Sequence, residues 1–151
     1  MDESADTKYQ IKLTLEQQHF AVLSTINNQQ PYSNLVAYVV STDLRYVVFA
    51  TNRNTQKYRN IFTNNSISLL IDNRRNRNDD YAKALAITAL DTASEIENYT
   101  HEELVHLYLR KHKTLTDFIG AQDTAIIKMQ AIDYIIARFG GAKRVSMESV
   151  Y

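Results

Sequence analysis

Three features of the chain predict a mainly-β fold: a six-stranded antiparallel barrel, closed or split, with a few short helices. Apolar runs rich in Val, Ile, Tyr and Phe recur between short polar turns. The first three runs follow one another so closely that only an antiparallel meander can join them. Helical periodicity surfaces only in brief stretches between the runs. A chain of 151 residues is enough for one ordinary domain, so residues 1–151 are read as a single unit.

In chain order, Met1 to Lys12 is polar and acidic and reads as a flexible or helical extension. Thr14-x-x-Gln17 fits a capping box and predicts a short helix to about His19. Phe20–Ile26 is the first strand, Asn27–Gln30 a polar turn, and Pro31–Ser41 the second strand. Thr42–Leu44 turns the chain into a third strand, Tyr46–Thr51. The period then changes. Thr55–Asn64 places Tyr58, Ile61 and Phe62 on one helical face, and Asn64 and Asn65 end that helix. Ile67–Ile71 is a fourth strand and Asp72–Asp80 a polar loop. Lys83–Ile96 is strand-like, with a bulge expected near Asp91. Thr100-x-x-Glu103 is a second capping box, opening a helix to about His112. Thr124–Phe139 is one long strand-like segment, closed by Gly140 and Gly141. With three glycines and one proline in the chain, the turns rely on Asn and Asp.

Composition excludes several functions. No cysteine is present, which removes disulfides, thiolate metal sites and thiol catalysis, so redox chemistry would need a bound cofactor. Seventeen basic residues balance seventeen acidic ones, whereas nucleic acid or an anionic membrane would select a basic surplus. No run approaches the ~20 apolar residues of a membrane span, and the N-terminus lacks the apolar core of a signal peptide. The expected location is the cytoplasm. The four histidines form no i, i+4 pair, so no metal site is expected. Arg74, Arg75 and Arg77 could face an anionic substrate or a partner's cofactor, although a solvated loop beside Asp79 and Asp80 accounts for them more simply.

The most informative stretch is Phe49–Ile71. A strand ends at Thr51 and a helix starts near Thr55. A helix start carries free N–H groups and partial positive charge, which attract acids. Here the start holds Arg53, Lys57 and Arg59 and no acid. A bound phosphate held by the helix N–H groups, the Thr55 hydroxyl and the Lys57 ammonium would turn that arrangement from a cost into a gain. The plain alternative is a set of cations pointing into water.

This stretch resembles the phosphate-binding region of pyridoxamine 5'-phosphate oxidase-like flavoproteins. Phe49, Thr51 and Asn52 match that family's strand end. Thr55 and Lys57 stand at the Ser and Lys of its Ser-Arg-Lys triplet, and Asn64–Asn65 at its Asn-Pro pair. Gln56 replaces the family's Arg, a charge that Arg53 could supply. The resemblance implies the FMN-binding form of the split barrel. It implies a homodimer holding FMN between its subunits, with Ser33, Asn34, Leu35 and Val36 along the ring or ribityl chain. Ala50 and Thr51 would add backbone contacts, and Arg53, Thr55, Gln56 and Lys57 would surround the phosphate. It further implies an FMN-dependent oxidoreductase with a small-molecule substrate, or a non-catalytic holder of flavin, deazaflavin or haem. No side chain is named as catalytic. True pyridoxamine 5'-phosphate oxidase activity is not expected, because the chain is short and its end, E-S-V-Y, lacks the Arg-rich segment those enzymes use.

Overall fold

Strands β1 (Phe20–Asn27) and β2 (Gln30–Val40) meet as a hairpin in the computed structural model, which describes residues 3–97, 102–131 and 133–147. The turn between them puts both Asn28 and Gln29 at positive φ, 49° and 70°. This is the primed geometry whose twist matches the flanking strands. β3 (Tyr46–Asn52) follows, then α2 (Gln56–Thr63) and β4 (Ser66–Asp72). A four-residue helix, α3 (Asp80–Lys83), leads into β5 (Ala86–Glu95). Next come α4 (Glu102–Lys111), a 3₁₀ turn and the short α5 (Thr116–Gly120). β6 (Thr124–Gln130), β7 (Asp133–Arg138) and β8 (Gly141–Ser146) complete the described chain.

All strand pairings are antiparallel, in the order β4-β1-β2-β3-β6-β5, and β5 returns to β4 to close a six-stranded ring. The predicted barrel is therefore present, with two strands more than expected. β7 and β8 form a hairpin attached to β5 outside the ring. The segment read as one strand, Thr124–Phe139, follows a single path along the edge of β5 but is bent. Met129 opposes Ala93 and Asp133 opposes Leu90, so four steps on one strand match three on the other. That mismatch is a bulge, and it divides β6 from β7. The bulge expected near Asp91 is absent there: Ala86 to Thr92 pair with Asp72 to Ser66 without a skip.

The N-terminal residues differ most from expectation. α1 runs Glu3–Gln17, and Thr14 lies in its last turns, buried, rather than at its start. Ile11 and Leu15, one turn apart, are wholly buried with the barrel interior. Tyr38 Oη, inside the barrel, donates to the Leu15 carbonyl at 2.6 Å. The signal for this helix is an i, i+4 apolar pair hidden among polar neighbours. The second capping-box residue, Thr100, lies outside the described residues; α4 itself forms as predicted.

Two apolar clusters share the wall between them. Leu23, Tyr38, Phe49, Leu69, Ile87, Ile127 and Tyr134 fill the barrel. On the outer side, Val39, Val48, Ala50 and Ile126 pack beneath Leu104, Val105 and Tyr108 of α4 and Ile119 of α5. Among the described residues no helix is long and apolar enough to cross a membrane.

Candidate functional site

Three rungs hold β2 to β3. Only Tyr38, Val39 and Val40 pair with β3, opposite Phe49, Val48 and Val47. Before Tyr38, β2 pairs with β1 alone; after Phe49, β3 pairs with β6 alone. The strands therefore part, and their facing backbone edges lie open along residues 33–36 on one lip and 50–51 on the other; the Ala37 carbonyl accepts from Tyr108 Oη, and the Asn52 carbonyl from Thr55. Open N–H and C=O groups demand a partner. Ser33, Asn34, Leu35, Val36, Ala50 and Thr51, the residues expected to meet a ring system, all stand on these two lips.

Their side chains alternate. Ser33 and Leu35 face outward, Leu35 being 68% exposed, while Val36 is buried in the core. Asn34 shares the inward face, and its Oδ1 is buried with no hydrogen-bond partner. A buried acceptor left unmatched costs about 1–3 kcal/mol, so a donor from a ligand would be favoured there. Ala50 packs under α4, which leaves its backbone alone for a ligand.

The turn that follows β3 is held by its own polar groups. Asn52 Oδ1 accepts the Asn54 N–H at 2.7 Å, and Thr55 Oγ1 donates to the Asn52 carbonyl at 2.7 Å. Thr55 is the N-cap of α2: the same oxygen accepts the Tyr58 N–H at 3.4 Å and lies 3.0 Å from Thr51 Oγ1. The first turn contains no acid. The Gln56 and Lys57 N–H groups, at the first two helical positions, have no acceptor within the helix. Lys57 makes no hydrogen bond or ion pair among the described residues, so its ammonium is free at this helix start.

The other predicted phosphate contacts are committed elsewhere. The Thr55 hydroxyl hydrogen is spent on Asn52. Gln56 Nε2 donates to Asn60 Oδ1 at 2.7 Å, and Gln56 Oε1 accepts from Arg59 at 3.1 Å. Asn60, buried, passes the chain on to Thr25 of β1 at 3.0 Å. At Gln56 this chain thus has a polar relay that pins α2 to the barrel wall. Arg53 points toward β5 and β6. Its Nη1 donates to the Gln122 and Thr124 carbonyls at 3.0 and 2.9 Å, and its Nη2 pairs with Glu95 at 3.1 Å. Glu95 also accepts from Tyr58 Oη at 2.8 Å, and this bond, foremost, pushes the Tyr58 phenol above its ordinary range. Sequence reasoning missed Glu95, which lies 42 residues from Arg53 and belongs to no local motif.

The loop 73–79 forms a separate hollow of about 610 Å³ with the β7–β8 hairpin, lined by Leu70, Arg74, Arg77, Tyr81, Arg138 and Phe139. Tyr81 and Phe139, both largely exposed, meet at a tilt of 56° with ring centres 5.3 Å apart. Arg74 pairs with Asp72 at 3.1 Å, and the Arg75 and Arg77 N–H groups bind Asp80, holding its carboxyl below the usual carboxylate range. His112 is buried, its Nε2 2.6 Å from the Tyr38 carbonyl, and burial lowers its pKa. His101 lies outside the described residues. Among the described residues, no three His, Asp or Glu side chains stand together as metal ligands.

Residues 7–132 match the family described as pyridoxamine 5'-phosphate oxidase. The chain belongs to the pyridoxamine 5'-phosphate oxidase-like family. No curated protein matches it. A haem-binding protein from Mycobacterium smegmatis superposes with a TM-score of 0.83 at 14% identity, over 99% of this chain and 60% of that one. An FAD-binding protein from Mesorhizobium loti does so at 0.66 and 11% identity, over 92% and 94%. The haem-storage protein HutZ of Vibrio cholerae does so at 0.65 and 16% identity, over 82% and 89%. At these identities the superpositions establish the fold. This member of the family spans only about three-fifths of the M. smegmatis chain. Of these three superposed proteins, one is described as haem-binding, one as a haem-storage protein and one as FAD-binding.

Proposed function

We propose that this chain binds FMN in the split between β2 and β3, as a homodimer, and works as an FMN-dependent oxidoreductase on a small molecule. The observation that carries the reading is the coincidence of two open backbone edges with a helix start whose one free cation, among the described residues, is Lys57. The phosphate would rest on Lys57 and the Gln56 and Lys57 N–H groups. The ring would lie along residues 33–36 and 50–51, and Asn34 Oδ1 would take a donor from the flavin or its ribityl chain. When bound, FMN supplies the electron and hydride chemistry, and the protein supplies binding, orientation and electrostatics. The outward face around Phe20, Leu35 and Leu70, all exposed, is the apolar surface that a second copy would cover. A partner seated there could bring its own Tyr81–Phe139 hollow to the site.

Haem is the second reading, favoured by the two superposed proteins described by their haem. The purified protein is titrated in parallel with FMN, riboflavin, a deazaflavin and haemin, following absorbance. FMN uptake at low micromolar concentration, tighter than that of riboflavin, supports the reading. Uptake of haemin alone contradicts it. Addition of NADH or NADPH to the loaded protein then separates enzyme from carrier, since only an enzyme bleaches the flavin at a useful rate. Leu35→Glu should convert the dimer to a monomer in light scattering.

A further inference from the structure

We propose that Arg53, Glu95 and Tyr58 form a positioning clamp for the phosphate turn, and that Arg53 keeps the site cationic by neutralising Glu95 rather than by touching the ligand. The inference rests on the FMN reading above and deepens it.

Arg53 is the cation nearest to Thr55 in sequence, on the N-terminal side, and so stands where a missing phosphate contact would be sought. Its guanidinium is turned toward β5 and β6 instead. Both Nη1 hydrogens go to carbonyls of the segment entering β6, at Gln122 and Thr124, and Nη2 takes Glu95. The Arg53 backbone N–H donates to the Asp123 carbonyl at 2.8 Å. Main chain and guanidinium are thus both anchored to residues 122–124, which ties the end of β3 to the start of β6 beyond the last rung of their ladder at Asn52–Thr124. From the other side, Glu95 reaches α2 through the Tyr58 hydroxyl. Tyr58 stands three residues after the N-cap, so the same carboxylate steadies the first helical turn. The three side chains join the end of β3, α2, the end of β5 and the start of β6.

The charges matter as much as the bonds. Glu95 is a carboxylate beside the turn proposed to receive a phosphate. Unpaired, it would repel the ligand; paired with Arg53, it leaves the Lys57 charge uncancelled. Among the described residues, the ion pair is Arg53's only one, and it raises the guanidinium pKa further, chiefly through the hydrogen bond to Glu95.

The test is a double-mutant cycle on the full chain, with FMN and riboflavin titrated into each variant. Arg53→Gln should weaken FMN roughly tenfold, because it exposes an uncompensated carboxylate, and should leave riboflavin within about twofold. Glu95→Gln, which keeps the bond to Tyr58 and leaves the Arg53 charge uncancelled, should bind FMN at least as tightly as wild type. The pair Arg53→Gln/Glu95→Gln should bind FMN several-fold more tightly than Arg53→Gln alone. If the double variant is no tighter than Arg53→Gln, or if Glu95→Gln alone weakens FMN about tenfold, neutralisation of Glu95 is not what Arg53 contributes and the proposal falls. Equal losses for FMN and riboflavin would make the network merely structural, which also overturns it. Amide exchange of residues 53–58 without flavin reads the clamp separately. Arg53→Gln should accelerate it, and unchanged exchange refutes the clamp whatever the flavin results. A wild-type protein indifferent between FMN and riboflavin refutes the phosphate site itself, and with it Arg53's part in that site, while exchange still reports on the clamp.

Discussion

The two halves of β3 live in different surroundings. Val47, Val48 and Phe49 have a strand on either side and an apolar cluster on either face. Ala50, Thr51 and Asn52 keep β6 on one edge and lose β2 on the other. The first half seals the barrel; the second opens it beside a helix start with a free lysine. Stability and binding are therefore divided along a single strand, and substitutions a few residues apart should report on different properties.

The largest effect is expected in the sealed half. Phe49 is wholly buried, and Phe49→Ala should cost about 3–5 kcal/mol in chemical denaturation. A loss below about 1 kcal/mol would mean that the site collapses around the gap and that the wall is not sealed as described. In the open half, Lys57→Ala should weaken FMN by about tenfold or more, equivalent to ~1.4 kcal/mol, with riboflavin affinity and Tm unchanged, since Lys57 has no partner among the described residues to lose. A fall in Tm would place Lys57 in the sealed region instead.

Acid should act on the sealed side. His112, buried against the Tyr38 carbonyl, has its pKa lowered below the ordinary value by burial, with Lys111 and His19 adding to the effect. The unfolded chain then takes up a proton that the folded chain resists. Stability should be fully present above about pH 6.5 and fall below it, by at most about 1.4 kcal/mol per pH unit for this one group. Lys111 works in an alkaline window. Burial brings it down to about 8, so the folded state gives up its proton first and stability should rise from there toward the unfolded value near 10.5. His112→Gln should flatten the acid slope of Tm, and Lys111→Met the alkaline one. The smallest effect is at the β1–β2 turn. Gln29 holds φ of 70°, and Gln29→Gly should stabilise by about 0.5–1 kcal/mol in the same denaturation assay.

The sequence made the barrel legible because strands alternate and turns interrupt them. Thr55 as N-cap and Asn64 as C-cap were readable for the same local reason. What stayed hidden depended on partners far away in the chain. The bulge between β6 and β7 exists because β5 must serve two strands along one edge, and neither strand encodes that alone. Glu95 looks like any polar strand residue until β5 closes against β6 and brings it to Arg53 and Tyr58. Gln56 reads as a lost charge, and its bond to Asn60 requires the helix to sit against Thr25. The sequence foreshortens α1 because Ile11 and Leu15 carry little signal until a barrel mouth is there to receive them.

Backbone amide chemical-shift mapping during an FMN titration tests the central claim most directly. The account predicts large shifts at residues 33–36 on one lip and 50–57 on the other, with riboflavin reproducing the first set and much of the second except at Gln56 and Lys57. Shifts concentrated elsewhere, or a spectrum that FMN leaves unmoved, would contradict it.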